Sequence, residues 1–403
     1  MKKHVIVTIG VLLVFSVLLA GLFIWRSRMD AGDSANPPVQ EGNVNDTLSD
    51  GKQDGSDSET MWGTEHTQNI QEISGTENTL EKEETDMPIT MIFAGDVLFR
   101  SYFREHYPSE GIGCAISNDL LDSFVNADLA MVNQEFPFST RGVPMEGKQY
   151  TFRIDPSYVT ALNDLGIDIV TLANNHVLDY GKDALKDTFT TLDEAGIRYA
   201  GAGESKERAE ELQTFEINGK TIGILAASRV IPVVEWNVEN EVPGVFTTYD
   251  GTALCEAIQK AKECCDFVAV YVHWGVEYKE YPEEYQRVLA KQYIDSGADF
   301  VVGTHTHCLQ GIEYYNGKPI FYGLGNFGFG AGIERTLAIH VTISPDGNVE
   351  YMLIPAKAVN GCTVRMEEEE GRMLYRYMEE ISEGIAVEAQ GVVSQKEQLG
   401  NGS

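Results

Sequence analysis

The chain has 403 residues, 43% of them hydrophobic, enough for more than one domain and for a full buried core. Its formal net charge of −32 repels phosphate backbones, which sets nucleic acid aside as a partner. Much of that charge sits in one linker and in the tail, so it leaves the character of any active surface open.

Residues 1–28 begin with Lys2 and Lys3, and Val5–Trp25 then runs about 21 residues without a charge, long enough for a membrane-spanning helix. A cleaved signal peptide has a shorter apolar stretch and a small-residue cleavage site. Here Leu18-Leu19-Ala20-Gly21 is followed by Leu22 rather than Cys, so there is no lipid-attachment site. The segment reads as an uncleaved transmembrane signal anchor. Arg26 and Arg28 balance Lys2 and Lys3, so the charge bias barely discriminates orientation. A short tip, one span and a long remainder favour a single-pass protein of the cell membrane whose body is extracytoplasmic.

Residues 29–87 are rich in Asp, Glu, Ser, Thr, Gly and Asn, with almost no aliphatic periodicity. Such a stretch cannot bury enough apolar surface to offset chain entropy, and it reads as a disordered acidic linker extended by its like charges.

From Pro88 apolar runs alternate with amphipathic stretches. The runs predict strands at Ile89–Ala94, Leu129–Val132, Ile167–Leu172, Thr221–Ala227, Phe267–Val272 and Asp299–Val302, with a further run at Pro319–Leu324. Helices are expected at Leu120–Val125, Pro156–Leu165, Lys182–Ala195, Asp250–Cys264 and Pro282–Ser296. This alternation argues an α/β fold with a largely parallel core sheet, spanning residues 88–357. Leu337–Ile343 and Val349–Ile354, joined by Pro345-Asp346-Gly347-Asn348, read as an added β-hairpin. The tail, 358–403, holds the acidic run Glu367–Glu370 and an amphipathic helix around Arg372–Ile385, and its polar end reads as loose. The six cysteines (114, 255, 264, 265, 308 and 362) form no C-x-x-C framework and read as small core residues.

Five polar clusters follow strands, where open α/β sheets place ligands. Gly95-Asp96 ends the first strand; Asp96 offers a hard oxygen ligand, or equally a helix cap. Asn133 and Glu135 follow the second and point the same way in extended backbone. Glu135, just before Phe136-Pro137-Phe138, is an unlikely place for an idle charge. Asn174-Asn175-His176 follows the third strand, with Asp179 just after. An amide oxygen there can bind metal, His176 can ligate or serve as general acid, and Asp179 can orient that ring. His273 ends the strand Phe267–Val272 and is either a satisfied core residue or a ligand. His305 and His307, two residues apart on a turn, can face one point. Imidazoles with carboxylates suit Zn, Mn or Fe better than Mg or Ca. The set is rich enough for one ion or for two about 3.5–4 Å apart, which would activate water and clamp a phosphoryl or carbonyl oxygen. No G-x-S-x-G, Walker A or G-x-G-x-x-G loop competes.

The stretches FAGDVLF, VNQEFPFS, LANNHVLDYG, VHWGVEY and GTHTHCLQGIEYYNGKPIFYGLGNF, in this order over Met91–Phe327, resemble the capsule-synthesis CapA family associated with bacterial poly-γ-glutamate. That family in turn looks like a divergent branch of the calcineurin-type metallophosphoesterases. The resemblance implies a layered α/β sandwich with helices outside. It also implies a role in capsule polymer synthesis or export, with an anionic polymer or its synthesis machinery as partner. An acidic chain meets a polyanion through an ion bridge or a local basic groove. Under this resemblance Asp96, Glu135, Asn175, His273, His305 and His307 are the metal ligands, His176 is the proton donor and Asp179 its orienter. Phosphoesterases of that type open with D-x-H; here Asp96-Val97-Leu98 lacks the His, and Glu135 stands where an Asp bridges the ions. Two classes of function follow: a metal-dependent hydrolase or transferase acting on a phosphoester or amide, and a non-catalytic component that binds polymer or metal within a synthesis complex.

Overall fold

The computed structural model describes residues 87–396 except 240, 329 and 331. The expected membrane span and acidic linker lie outside the described residues. Among those described, no helix is long and apolar enough to cross a membrane.

Aliphatic runs bounded by turn residues become strands in chain order. The first are β1 (Ile89–Val97), β2 (Leu129–Gln134), β3 (Ile169–Thr171), β4 (Arg198–Ala200), β5 (Ala202–Gly203) and β6 (Gln213–Ile217). Then come β7 (Lys220–Ser228), β8 (Gly244–Val245), β9 (Phe267–His273), β10 (Phe300–Thr304), β11 (Leu309–Tyr315) and β12 (Lys318–Leu324). The last are β13 (Asn326–Gly328), β14 (Thr336–Ile343), β15 (Val349–Val359), β16 (Cys362–Arg365), β17 (Ile385–Val387) and β18 (Val393–Gln395). The helices are α1 (Ser101–Glu110), α2 (Asn118–Val125), α3 (Thr160–Asp164), α4 (Lys182–Ala195), α5 (Lys206–Ala209), α6 (Thr252–Lys262), α7 (Glu284–Asp295) and α8 (Glu368–Glu380).

The largely parallel core is divided between two mixed sheets, layered with helices outside. One runs β16-β15-β14-β1-β2-β3-β4, with β13 also on β1; the other runs β11-β12-β10-β9-β7-β6. Strands β1 to β4 are parallel, as are β7, β9, β10 and β12, while antiparallel strands flank both groups. Parallel strands covered on both faces carry continuous rather than alternating apolar residues. All seven residues of β9 are buried, as are all but Thr90 in β1.

The sheets face each other across aromatic residues. Phe93 of β1 meets Phe300 of β10 edge-on at 5.0 Å, and Phe300 stacks on Tyr351 of β15 at 5.5 Å. Helices cover the outer faces. Leu254, Ile258, Leu289 and Tyr293 from α6 and α7 share a buried cluster with Val268, Val270 and Val272. Leu120, Phe124, Leu162, Leu185, Phe189 and Leu192 from α2, α3 and α4 join the cluster around β1 and β2. In α4 the buried residues Leu185, Thr188, Phe189 and Leu192 line one helical face, and Gly196 ends the helix with φ 73.

Local departures from the sequence reading have local causes. The helix expected over Pro156–Leu165 is a 3₁₀ turn (Pro156–Val159), capped by Asp155, that leads into α3. In the tail, the acidic run supplies the first turn of α8, where carboxylates complement the helix dipole. The stretch past α8, expected to be loose, pairs as β17–β18, and Leu353 N–H donates to Gly391 O at 2.9 Å. Cys114 and Cys265 are buried, but Cys264 is exposed.

One close approach fixes the end of β1. Asp96 N–H donates to Gly325 O at 3.1 Å, and a Cβ on Gly95 would lie 1.9 Å from that oxygen. Gly95→Ala is therefore expected to lose about 2 kcal/mol of stability through overpacking. A denaturant titration reads this directly, and an unchanged midpoint would mean the two segments separate freely.

Candidate metal centre

The carboxyl ends of β1, β2, β9 and β10 bring the polar clusters to one place. Asp96 pairs in register with Asn133 across β1 and β2, and Thr304 with His273 across β10 and β9. Ligand atoms of Glu135, His273 and His305 lie within 4.8 Å of one another, and so do those of Asp96, Glu135 and His307. Glu135 belongs to both groups. Asn175 joins from the loop after β3, its Oδ1 3.0 Å from His273 Nε2.

A network of amides aims these groups. Asn133 Nδ2 donates to Asp96 Oδ1 at 2.7 Å, and Asn174 Nδ2 donates to Asn133 Oδ1 at 2.9 Å. Asn174 Oδ1 accepts from the backbone of His176 at 3.0 Å and of Val177 at 3.2 Å, which sets the loop. His305 N–H donates to Asp96 Oδ2 at 3.2 Å. His307 Nδ1 lies 2.7 Å from Asn326 Oδ1 and 3.4 Å from Asp96 Oδ2. Both His305 and His307 have positive φ, 90° and 55°. That region is uncommon for non-glycine residues and is found where surrounding structure enforces it, often at functional sites.

The electrostatics of the cluster are lopsided. Both Glu135 oxygens and His305 Nδ1 are buried without a hydrogen-bond partner among the described residues. Burial, and then the Asp96 charge, push the Glu135 carboxyl well above the usual carboxylate range. Burial and the neighbouring His307 lower His305 to about 3, and burial with both other imidazoles pushes His273 well below its ordinary value. Burial also opposes charge on His307, yet the Glu135 and Asp96 charges raise it to about 10. Two buried carboxylates thus call for a cation, and His307 is the group that answers. Unpartnered buried oxygens, an unpartnered imidazole nitrogen and a mixed N/O donor set fit a divalent transition metal.

His176 and Asp179 stand next to this centre. His176 Nδ1 lies 2.7 Å from Asp179 Oδ2. A carboxylate only accepts, so Nδ1–H donates and Nε2 is the ring nitrogen left for chemistry. Burial lowers the His176 pKa, against the bond to Asp179. Phe152 packs on the ring at 4.5 Å, and its N–H donates to Asp179 Oδ2 at 2.8 Å.

Lys148 is the residue that sequence reasoning missed. Its ammonium donates to Asp179 Oδ1 and to Asn175 O, and it sits 5.1 Å from the Trp236 ring. It comes from the loop after β2, in a stretch with no periodicity or motif to single it out. Asn174 and Asn133 were visible in the clusters, but not their role in aiming neighbours. Gln310 and Glu313, in the same long motif as the histidines, serve packing instead. Gln310 Oε1 accepts from Gln286 at 2.9 Å, and Glu313 pairs with Arg287 at 3.0 Å and Lys291 at 2.9 Å.

Removing Lys148 leaves the buried Asp179 carboxylate without its cation. Lys148→Ala is expected to cost about 3 kcal/mol, and Asp179→Asn in the same chain to restore part of it. Additive losses in the double variant, read by denaturant unfolding, would show that the pair is not coupled.

Residues 90–331 match the family described as "Bacterial capsule synthesis protein PGA_cap". The PGA biosynthesis protein CapA of Bacillus subtilis (strain 168) is 32% identical over 257 residues, covering 63% of this chain and 67% of that protein. The capsule biosynthesis protein CapA of Bacillus anthracis is 31% identical over 268 residues, 63% of each chain. The matched stretch thus spans about two thirds of these relatives' length. The solved Haemophilus influenzae NAD nucleotidase (NadN) is similar over 73% of this chain and 57% of its own, with 13% identity and a TM-score of 0.44. That likeness decides nothing about this chain. The family match covers more than half of the sequence, and the chain belongs to the bacterial capsule synthesis protein family.

Proposed function

We propose that this protein acts in the synthesis or export of a capsule polymer of the poly-γ-glutamate type, through a divalent-metal centre of the phosphoesterase kind. The observation that carries the reading is Glu135, whose two buried oxygens lack a hydrogen-bond partner among the described residues while it stands in both ligand groups. Family membership and the names of the two Bacillus relatives support the biological role. In this reading Asp96, Glu135, Asn175, His273, His305 and His307 hold Mn, Zn or Fe, as one ion or two. The bound metal supplies Lewis-acid polarisation of a phosphoryl or carbonyl oxygen.

The chain's own groups do the rest. Asp179 orients the His176 ring through Nδ1–H and supports its imidazolium form, and from that form Nε2 gives the leaving group its proton and returns to neutral imidazole. Lys148 donates to Asp179 and holds it in place, and Phe152 packs over the imidazole. The uncharged run Val5–Trp25 supports an anchor in the cell membrane, with residues 29–87 carrying the domain away from it on the outer side. The polymer, or the machinery that makes it, is the partner in this proposal.

Metal analysis of the purified full-length chain in detergent, beside the His305→Ala/His307→Ala variant, tests the centre. Near-stoichiometric transition metal in the wild type and its loss in the variant are expected. No metal in the wild type after reconstitution would sink the reading and leave a non-catalytic binding component. Turnover is tested with phosphoesters and γ-glutamyl amides. His176→Ala is expected to keep its metal and lose about 10²-fold or more in rate; an unchanged rate would remove His176 from the chemistry.

A further inference from the structure

A chain with a formal net charge of −32 has to receive a polymer that is itself anionic. A γ-linked glutamate polymer presents one free α-carboxylate per residue, so a cation at the rim of the centre is the natural counterpart. Several basic side chains on the loops around the strand ends are already occupied. Lys148 is bound to Asp179, and Arg141 is paired with Asp187. Arg153 Nη1 donates to Arg141 O at 2.8 Å and Gly142 O at 3.2 Å, with its guanidinium over Tyr180.

Arg229 is different. Its backbone N–H donates to His273 O at 2.8 Å, which places it one residue past the pairing of Ser228 with His273, beside a metal-ligand candidate. Its guanidinium lies 4.0 Å from the Tyr249 ring and 5.0 Å from the Tyr285 ring. Tyr285 is held in turn, its hydroxyl accepting from Gly275 N–H at 2.7 Å. Among the described residues the Arg229 guanidinium makes no hydrogen bond and no ion pair. Two rings therefore hold a planar cation in place while its N–H donors stay uncommitted. A guanidinium fixed in this way suits bidentate capture of a carboxylate, which an ammonium does less well. The loop that Arg229 opens also carries Trp236, whose ring meets Lys148 beside His176 and Asp179. That loop thus touches both the metal ligands and the acid–base group.

We infer that Arg229 receives a free carboxylate of the polymer and so sets the register of the chain across the metal centre. This rests on the polymer reading proposed above and assigns the residue that would recognise it. The test is binding of a defined γ-linked glutamate oligomer to the full-length chain, measured by calorimetry at low and high salt. Arg229→Ala, Arg229→Lys and the wild type are compared, with metal content measured for each. Arg229→Ala is expected to bind at least tenfold more weakly with unchanged metal content. Arg229→Lys should fall between, and an oligomer with its α-carboxylates converted to amides should bind the wild type no better than the acid binds Arg229→Ala. Equal binding of the oligomer by wild type and Arg229→Ala would overturn the assignment and leave the polymer reading standing. No binding by the metal-loaded wild type would overturn both.

Discussion

A carboxylate buried with no donor among the described residues governs this molecule. Isolated in a low-dielectric site, the Glu135 charge costs several kcal/mol, and no hydrogen-bond donor among the described residues relieves it. The nearby amides are turned elsewhere: Asn133 to Asp96, Asn174 to Asn133 and to Gln134 O. His273 Nε2 is nearest at 3.7 Å, beyond hydrogen-bonding reach. A fold seeking only stability would place an amide or a leucine at this position. Keeping the acid there, and raising His307 to balance it, makes sense when a cation is the intended partner.

Holding the imidazoles on target requires a stiff frame. His305 and His307 adopt backbone conformations that cost about 1 kcal/mol or more each, and they persist because β10 is tightly packed by its neighbours. Gly303 admits no side chain, since a Cβ there would lie 2.2 Å from both Trp274 Nε1 and Tyr322 O. Trp274 is fully buried, and its Nε1–H donates to Tyr322 O at 2.9 Å. Strand β12 and the residue after β9 thus clamp β10 just before the turn that carries both histidines.

The sequence exposes what repeats and what punctuates. Lys182–Ala195 is helical at its expected bounds, and the strands fall within a few residues of theirs, because burial on one face or on two writes itself into apolar spacing. Apolar spacing does not say which sheet a strand joins, so the division of the strands between two sheets is not legible in it. The Asn218-Gly219 turn, with φ 48 and 73, joins β6 to β7 and is a hairpin signal that the alternating strand–helix reading passed over. The acidic and imidazole groups of the cluster were legible because their residue types are costly at strand ends. Lys148 was not, because a lysine in an irregular loop carries no such mark until the fold places it against Asp179.

The family match ends at residue 331, but β14, starting at Thr336, is the strand that zips along β1 from Ile89 to Ala94. The inherited motif block is therefore shorter than the unit that folds. A gene fragment trimmed to the matched span would strip β1 of its antiparallel neighbour and lay bare a long apolar edge, a template for aggregation. Domain swaps or fusions among relatives have their natural seam beyond β18, because the bridge from Val392, just before that strand, to Met352 ties the tail to β15.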